Sequence, residues 1–158
     1  MISDGFIASA LFFSIGFLYE RYKTKLIIYY SSLATTMPIF SFLFFIFILA
    51  NIAFPSTTGF IGEFFVLVGA FSVNFLAAFF AAAGVVFSAA YSLWLFNRIC
   101  FGAVSTKYVA FYQDINNYEA CLLLGFVVAV FGFGLFPNLL FDYVDYFVYS
   151  LSLMTLFK

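Results

Sequence analysis

The chain has 158 residues, of which 66% are hydrophobic and 8% are charged, and its net charge is −1. Soluble domains carry about 25% charged residues, so the composition excludes an ordinary soluble domain and indicates an all-α polytopic membrane protein. A near-neutral chain also lacks the basic surface on which nucleic-acid binding depends. There is no histidine, and Cys100 and Cys121 are far apart, so we expect neither a metal site nor a disulfide framework.

The first apolar segment, residues 5–19, is short for a membrane span. Its 15 residues are fewer than the roughly 20 that a helix needs to cross hydrocarbon. Ser3 and Asp4 precede it and are favourable N-cap residues. Three of the six basic residues follow it directly, which places that loop on the cytoplasmic or matrix side. We expect Glu20 to be solvated there, or paired with Arg21 or a nearby lysine.

A second apolar region is interrupted at residues 54–59. Pro55 has no N–H group and clashes with a helix that runs through it, and Gly59 permits the backbone angles of a sharp turn. The flanking pieces, 38–53 and 60–71, are each too short to cross alone. We therefore predict one discontinuous span, which lipid tolerates only where protein or water satisfies the freed backbone groups.

Glu63 is the only acid well inside an apolar segment, and the cost of burying it makes it a functional-site hypothesis. Burial favours the neutral acid and the positive end of the second half-helix favours the carboxylate, so the group can load and release a proton. Thr57 and Thr58 are expected to line a polar path beside it. The alternative is a purely structural acid at the helix start. A capping box needs Ser or Thr where Phe60 stands, so we favour the proton site.

Two more spans are predicted, at 74–101 and from residue 119 or 120 to residue 136. The first contains Ser88 and Tyr91, which we assign as possible lining of a polar path. Serines in such helices usually bond to their own backbone, so this is the weaker assignment. Arg98 ends that span and is expected to anchor it on the positive side of the membrane.

The predicted organisation is a transmembrane bundle, 1–136, with about four spans, and a C-terminal tail, 137–158. The polar stretch 102–118 is expected to be a loop on the positive side. Asp142 and Asp145 are three residues apart and fall on one helix face, with apolar residues around the rest. This pattern is typical of an amphipathic helix that lies in the opposite membrane interface or docks onto a neighbouring subunit.

Several blocks of the sequence occur in a recognisable order and spacing. They are DGFIASALF, LYER, MP, LAN, the region from Pro55 to Gly-Glu-Phe, LVGAF, and AYSLWL followed by NR. Together they resemble the C-terminal third of the subunit 4 family of respiratory complex I, NADH:ubiquinone oxidoreductase. The match covers residues 2–102 well and continues loosely to Pro137.

The resemblance implies an antiporter-like membrane-arm subunit, with this chain equivalent to its helices 11–14 and helix 12 broken. The acid at the position of Glu63 ends the central hydrophilic axis of that family, on the route by which a proton leaves. The axis lysines belong to helices 7 and 8, which this chain lacks. FMN, iron–sulfur clusters and ubiquinone are expected elsewhere in the complex. The implied location is the mitochondrial inner membrane, among lipids and other membrane-arm subunits.

Two departures from the family pattern concern Asp4. The family usually has histidine there, which relays protons, and Asp4 is expected to replace it as an acid relay. The chain also begins near that position, so we expect a split subunit whose N-terminal helices lie on a separate chain. A truncated sequence is the alternative. Two other functions stay open: a subunit of a cation/proton antiporter or membrane-bound hydrogenase, and a structural membrane subunit with no proton path.

Overall fold

The computed structural model describes residues 1–102, 113–138, 141–142, 144–146 and 148–150, and this part of the chain is helical, without strands. The all-α prediction is confirmed. Besides a short 3₁₀ helix at Ile27–Tyr29, the helices are α1 (Ile2–Tyr22), α2 (Leu33–Thr36), α3 (Pro38–Asn51), α4 (Thr58–Val73), α5 (Phe75–Cys100) and α6 (Asn117–Leu135).

Among the described residues, three helices are long and apolar enough to cross a membrane: α1, α5 and α6. The prediction that the first span is short was wrong, since α1 has 21 residues and is therefore about 31 Å long. The N-cap prediction was also wrong. The helix begins beside Met1, and Asp4 lies within its first turn. Lys23 ends α1 in the left-handed conformation, with its N–H bonded to the Tyr19 carbonyl at 2.8 Å.

α3 and α4 lie one after the other along α5, as predicted for one discontinuous span. The ring of Phe45 in α3 is 4.9 Å from that of Phe96, near the end of α5. Leu67 of α4 lines the same cavity as Ala81, in the first half of α5. α5 therefore runs antiparallel to both pieces and supports the two sides of the break.

α1 and α6 pack against each other in antiparallel fashion and against α3. Phe6 stacks on Phe133 at 5.8 Å, and Phe13 lies 5.6 Å from Phe126. The resulting core is centred on α3. Its largest fully buried apolar side chains are Phe40, Phe47, Leu33, Met37, Leu123, Val130 and Cys100.

The other half of the bundle, formed by α4 and the start of α5, is largely uncovered. α4 buries only Thr58 and Gly59. Apart from Glu63 and Ser72 its remaining surface is apolar, and the exposed side chains include Phe64, Phe65 and Phe71. An uncovered apolar face of this extent is suited to lipid or to further membrane helices.

Arg21 joins three helix ends at the basic end of the bundle. Its guanidinium donates to the carbonyl oxygens of Gln113 and Asp114 and to the carboxylate of Glu119. The Asp114 carboxylate accepts the backbone N–H of Ile39 at 3.2 Å, at the start of α3. Arg21 therefore pairs with Glu119 across the bundle and not with the exposed Glu20 beside it.

Glu119 also explains why α6 begins earlier than predicted. Its carboxylate accepts the backbone N–H of Asn116 at 2.9 Å, while the Asn116 side chain accepts from the Glu119 backbone, which makes a capping box. At the same end, Lys25 and Ile99 line one cavity. The loop after α1 and the end of α5 thus lie together, as predicted for the two basic clusters.

The described part of the tail is helical and folds back on α4. The N–H of Phe141 donates to the Pro137 carbonyl at 3.1 Å, and the Phe141 ring meets that of Phe65 edge-on at 5.5 Å. Asp142 and Asp145 are both exposed. The rest of the predicted amphipathic face, and most of the predicted polar loop, fall outside the described residues.

The turn between α4 and α5 depends on one side-chain cap. Oδ1 of Asn74 accepts the backbone N–H groups of Leu76 at 3.0 Å and Ala77 at 3.5 Å. Asn74→Ala is expected to lower the free energy of unfolding by about 1 kcal/mol, because these N–H groups lose their acceptor. The measurement is the thermal denaturation midpoint of the assembled protein in detergent. Asn97→Ala, in the last turns of α5, is the control. Equal midpoints for the two variants would show that the cap contributes nothing.

Candidate functional site

The helix break occupies residues 52–57, between α3 and α4, so it overlaps the predicted 54–59 but begins and ends two residues earlier. Two non-glycine residues adopt left-handed backbone angles there, Ala53 with φ 59° and Ser56 with φ 80°. The N–H of Phe54 reaches back to the Leu49 carbonyl at 3.1 Å. The prediction that Gly59 supplies the turn was therefore wrong, since the left-handed residues of the break come earlier and Gly59 already belongs to α4.

Gly59 is required for a different reason, which is close packing. A Cβ atom at this position would lie 2.8 Å from the carbonyl oxygen of Ala50. The first turn of α4 therefore lies directly against the last turn of α3, and only glycine leaves room for it. The structure places Pro55 in the break, as predicted, with its side chain exposed.

Gly134 of α6 is a site residue that the sequence reasoning missed. A Cβ atom there would lie 2.4 Å from the Ser56 carbonyl oxygen and 2.7 Å from the Thr57 carbonyl carbon. The backbone of α6 thus packs directly against one side of the break. The sequence carried no specific signal for it, since Gly132 and Gly134 are two residues apart and do not share a helix face.

Glu63 and Asp4 face the same cavity, which has a volume of about 330 Å³. Its lining residues are Met1, Ser3, Asp4, Gly59, Gly62, Glu63, Val66, Leu67, Ala81 and Val85. No lysine or arginine side chain is among them. Asp4 pairs with the Met1 amino group at 3.0 Å, and its side chain is 73% exposed. The structure therefore brings together the two acids assigned to the proton path, on α1 and α4.

A second cavity of about 300 Å³ adjoins the first and shares Met1, Ser3 and Gly62 with it. Thr58 lines this second cavity. Its hydroxyl is buried, with the residue 7% exposed, and has no hydrogen-bond partner among the described residues. The far wall is formed by the end of α6 and by the tail residues Phe141 and Val144.

The other residues assigned to a polar path do not line either cavity. The Thr57 hydroxyl donates to the Phe54 carbonyl at 2.7 Å and so stabilises the turn. Ser88 donates to the carbonyl of Val85 in its own helix at 2.8 Å. Tyr91 lies on the outer surface of α5 and is 61% exposed. Their roles stay predictions, and any path through them runs outside these cavities.

No cluster of His, Cys, Asp and Glu that fits a metal ion occurs in the described part of the chain. Cys100 is buried and Cys121 is exposed. The chemistry that the site offers is that of two carboxylates and several hydroxyl groups beside a broken helix.

The fold and the site define a class: polytopic α-helical membrane proteins with an acidic residue at a discontinuous helix, the usual setting of ion sites in transporters. The family model described as the NADH:quinone oxidoreductase/Mrp antiporter transmembrane region matches residues 1–92. The chain belongs to this family.

Its similar relatives are proteins named NADH-ubiquinone oxidoreductase chain 4. The chain is 47% identical to that of Marchantia polymorpha and 46% identical to that of Chondrus crispus, each over 138 residues or 87% of this chain. Identity to the Arabidopsis thaliana protein is 46% over 142 residues, or 90% of this chain. The chain spans 28–29% of the length of these relatives.

Proposed function

We propose that this chain is part of the membrane arm of a proton-pumping NADH:ubiquinone oxidoreductase and carries the terminal part of a proton-translocation path. The observation that carries the proposal is Glu63, an acid that faces a cavity beside a broken helix together with Asp4. The names of the relatives support the assignment to an NADH:ubiquinone oxidoreductase. The family match supports proton or cation translocation as the function of the chain.

The proposed mechanism uses Glu63 as the group that holds and releases the proton. Asp4 lines the same cavity, so a proton can pass between the two carboxylates through water held there. An aspartate cycles between anion and neutral acid, whereas a histidine cycles between neutral and cation. A relay at Asp4 would therefore be one charge unit more negative than a histidine at each stage. NADH oxidation, with its FMN, iron–sulfur clusters and ubiquinone, is assigned to other subunits.

The rest of the proton path is proposed to be formed by residues outside this chain. Its relatives are more than three times as long, and the apolar faces of α4 and α5 are uncovered. We propose that the missing helices are supplied by a separate chain and cover these faces, within the mitochondrial inner membrane. The Phe-rich composition, which is typical of T-rich organelle genes, supports that location.

The assembly is tested on a native gel of detergent-solubilised membranes, with co-migrating chains identified by mass spectrometry. We expect a band of very large mass with NADH-oxidising activity, which contains this chain and a second one with the missing helices. A band that holds the chain within a full-length subunit would remove the split. Migration in a small complex without NADH activity would remove the oxidoreductase assignment.

Glu63→Gln is expected to reduce proton flux through this subunit by about 100-fold or more, the usual contribution of a proton-transfer group. Glutamine keeps the size and hydrogen bonding of the side chain but holds no exchangeable acid proton. The measurement is the number of protons translocated per NADH oxidised in membrane vesicles. Glu20→Gln, at the exposed end of α1, is the matched control. Unchanged pumping by the Glu63 variant, with normal assembly, would favour the structural role.

The family match favours one alternative, since it also covers Mrp antiporters. In a cation/proton antiporter, the same two carboxylates would hold a metal cation in turn with a proton. Proton movement would then depend on a sodium or potassium gradient and would be insensitive to NADH. Measuring vesicle acidification with each driving force separates the two functions.

A further inference from the structure

The loop after α1 presents two lysine side chains that lack an acidic partner. Lys23 and Lys25 are exposed, and neither forms an ion pair with another residue in the described part of the chain. Their ammonium groups lie over the ring of Tyr19, 5.9 and 5.0 Å from its centroid, and an aromatic ring attracts a cation without neutralising it. The exposed acid nearby, Glu20, lines a different cavity together with Phe13. The loop therefore carries positive charge that an external anion can neutralise.

A cavity of about 190 Å³ lies beside this loop, between α1, α3 and α5. Apolar side chains from all three helices form its walls: Leu18, Phe44, Leu95 and Ile99. Two further lining residues, Ile15 and Ile27, are 49% and 40% exposed, so the cavity borders the outer surface of the bundle. A cavity with apolar walls stays free of water and takes up apolar molecules. Its occupant must therefore be apolar where it meets the helices.

Lys25 lines this cavity as well, and the loop fixes its position. The Tyr30 hydroxyl donates to the Thr24 carbonyl at 2.7 Å, and the Thr24 hydroxyl accepts the backbone N–H of Leu26 at 3.3 Å. Tyr30 is itself buried and lines the same cavity. Because Lys25 is both exposed and a lining residue, it stands at the rim. The cavity thus has apolar walls and a cation held at its edge before any ligand binds, which lowers the cost of binding.

The residues that follow Lys25 place the loop at the surface of the membrane. Leu26 and Ile28 are 58% and 68% exposed, directly after the two lysines. In segments that lie in the membrane interface, apolar side chains enter the acyl region while lysines stay among the headgroups. Tyr19, under the lysines, is of the residue type that is enriched at headgroup depth. The cavity therefore opens where lipid headgroups and acyl chains meet.

We propose that an anionic phospholipid binds at this place, with its phosphate beside Lys25 and one acyl chain in the cavity. A lysine near the surface strengthens the binding of anionic lipid about fivefold. A zwitterionic lipid gains less, since its headgroup carries a cation of its own. A free phosphate would leave the apolar walls uncovered. Another helix is about 10–12 Å wide, which is too wide to enter the cavity.

The bound acyl chain would contact the basic ends of three helices at once. α1, α3 and α5 all contribute to the wall of the cavity, and α3 is the first half of the discontinuous span. The lipid is therefore expected to hold α3 between its two neighbours at this end of the bundle. The inference concerns how the chain is seated in its membrane and does not depend on a proton role for Glu63.

The headgroup is tested by native mass spectrometry of the assembly that contains this chain, purified in detergent. It is titrated with phosphatidylglycerol or with phosphatidylcholine that has the same acyl chains. We expect phosphatidylglycerol to bind more tightly, and Lys25→Gln to weaken its binding about fivefold without changing that of phosphatidylcholine. Lys23→Gln is the matched control, because it removes the same charge from the same loop at a residue that does not line the cavity. Equal losses for the two variants would show that only overall charge matters and would overturn the site.

The acyl chain is tested by Leu95→Phe, which places a larger side chain on the wall of the cavity. Binding of phosphatidylglycerol should fall by about fourfold for each methylene group that the ring excludes. Leu93→Phe makes the same exchange at a 39% exposed position that does not line the cavity, and it should bind normally. Unchanged binding by an assembled Leu95→Phe variant would mean that no acyl chain enters the cavity.

Electron cryomicroscopy of the intact assembly gives a readout that needs no variant. We expect elongated density in the cavity, continuous with headgroup density beside Lys25 Nζ, and its loss in Lys25→Gln. An empty cavity, or one filled by a side chain of a neighbouring subunit, would refute the proposal even if the phenylalanine variant failed to assemble. None of these measurements involves proton pumping, so a negative result leaves the proposed function as it stands.

Discussion

Gly134→Ala is expected to destabilise the bundle by about 3 kcal/mol or more, the upper range for overpacking, and to prevent stable assembly. The added Cβ would lie 2.4 Å from the Ser56 carbonyl oxygen and 2.9 Å from Thr57 Cα. All of these contacts are with backbone atoms, which no rotamer change can move aside. Either α6 shifts away or the break is rearranged, and both outcomes disturb the start of α4, where Thr58 lies.

The matched control is Gly132→Ala, two residues earlier in the same helix. A Cβ there meets nothing within 4 Å, and alanine is a better helix former than glycine by about 1 kcal/mol. This control should be neutral or slightly stabilising. The measurements are the amount of assembled complex and its thermal denaturation midpoint. If the two variants have equal midpoints, α6 does not pack on the break as described.

Arg21→Met is expected to cost about 3 kcal/mol, at the lower end of the range for breaking a buried ion pair. Its partner Glu119 would keep a largely buried charge, since the two side chains are only 16% and 17% exposed. The carbonyls of Gln113 and Asp114 would lose their donor as well. The ends of α1 and α6, and through Asp114 the start of α3, would then separate more easily.

Arg98→Met is the control for this second prediction, because it removes the same kind of side chain at the same end of the bundle. Arg98 is exposed and lies over the Trp94 ring at 5.3 Å, an interaction worth about 1 kcal/mol or less. The midpoint should fall clearly for Arg21→Met and little for Arg98→Met. Equal shifts would mean that the Arg21 contacts are as weak as those of a surface ion pair. Arg21→Lys should rescue only in part, since lysine lacks the planar fork of donors.

The helix break and its acid were readable from the sequence because each depends on local chemistry. Pro55 forbids a continuous helix wherever it stands in an apolar segment. Glu63 is conspicuous because a charge in such a segment is costly. The same local reasoning went wrong at Gly59 and Asp4. The first was taken as a turn residue and the second as a helix cap, both from residue preference alone.

The sequence by itself thus determined the class of protein, the interrupted span and the acid next to it, since hydrophobic length and helix-breaking residues act along the chain. Only the tertiary structure decided which groups meet at the break. Asp4 and Glu63 are 59 positions apart and face one cavity because α1 packs beside α4. Gly134 touches the break from α6, and Arg21 finds Glu119 across the bundle. Such pairings depend on how the helices pack against one another. Packing between helices that are distant in sequence cannot be deduced from the residues next to each position.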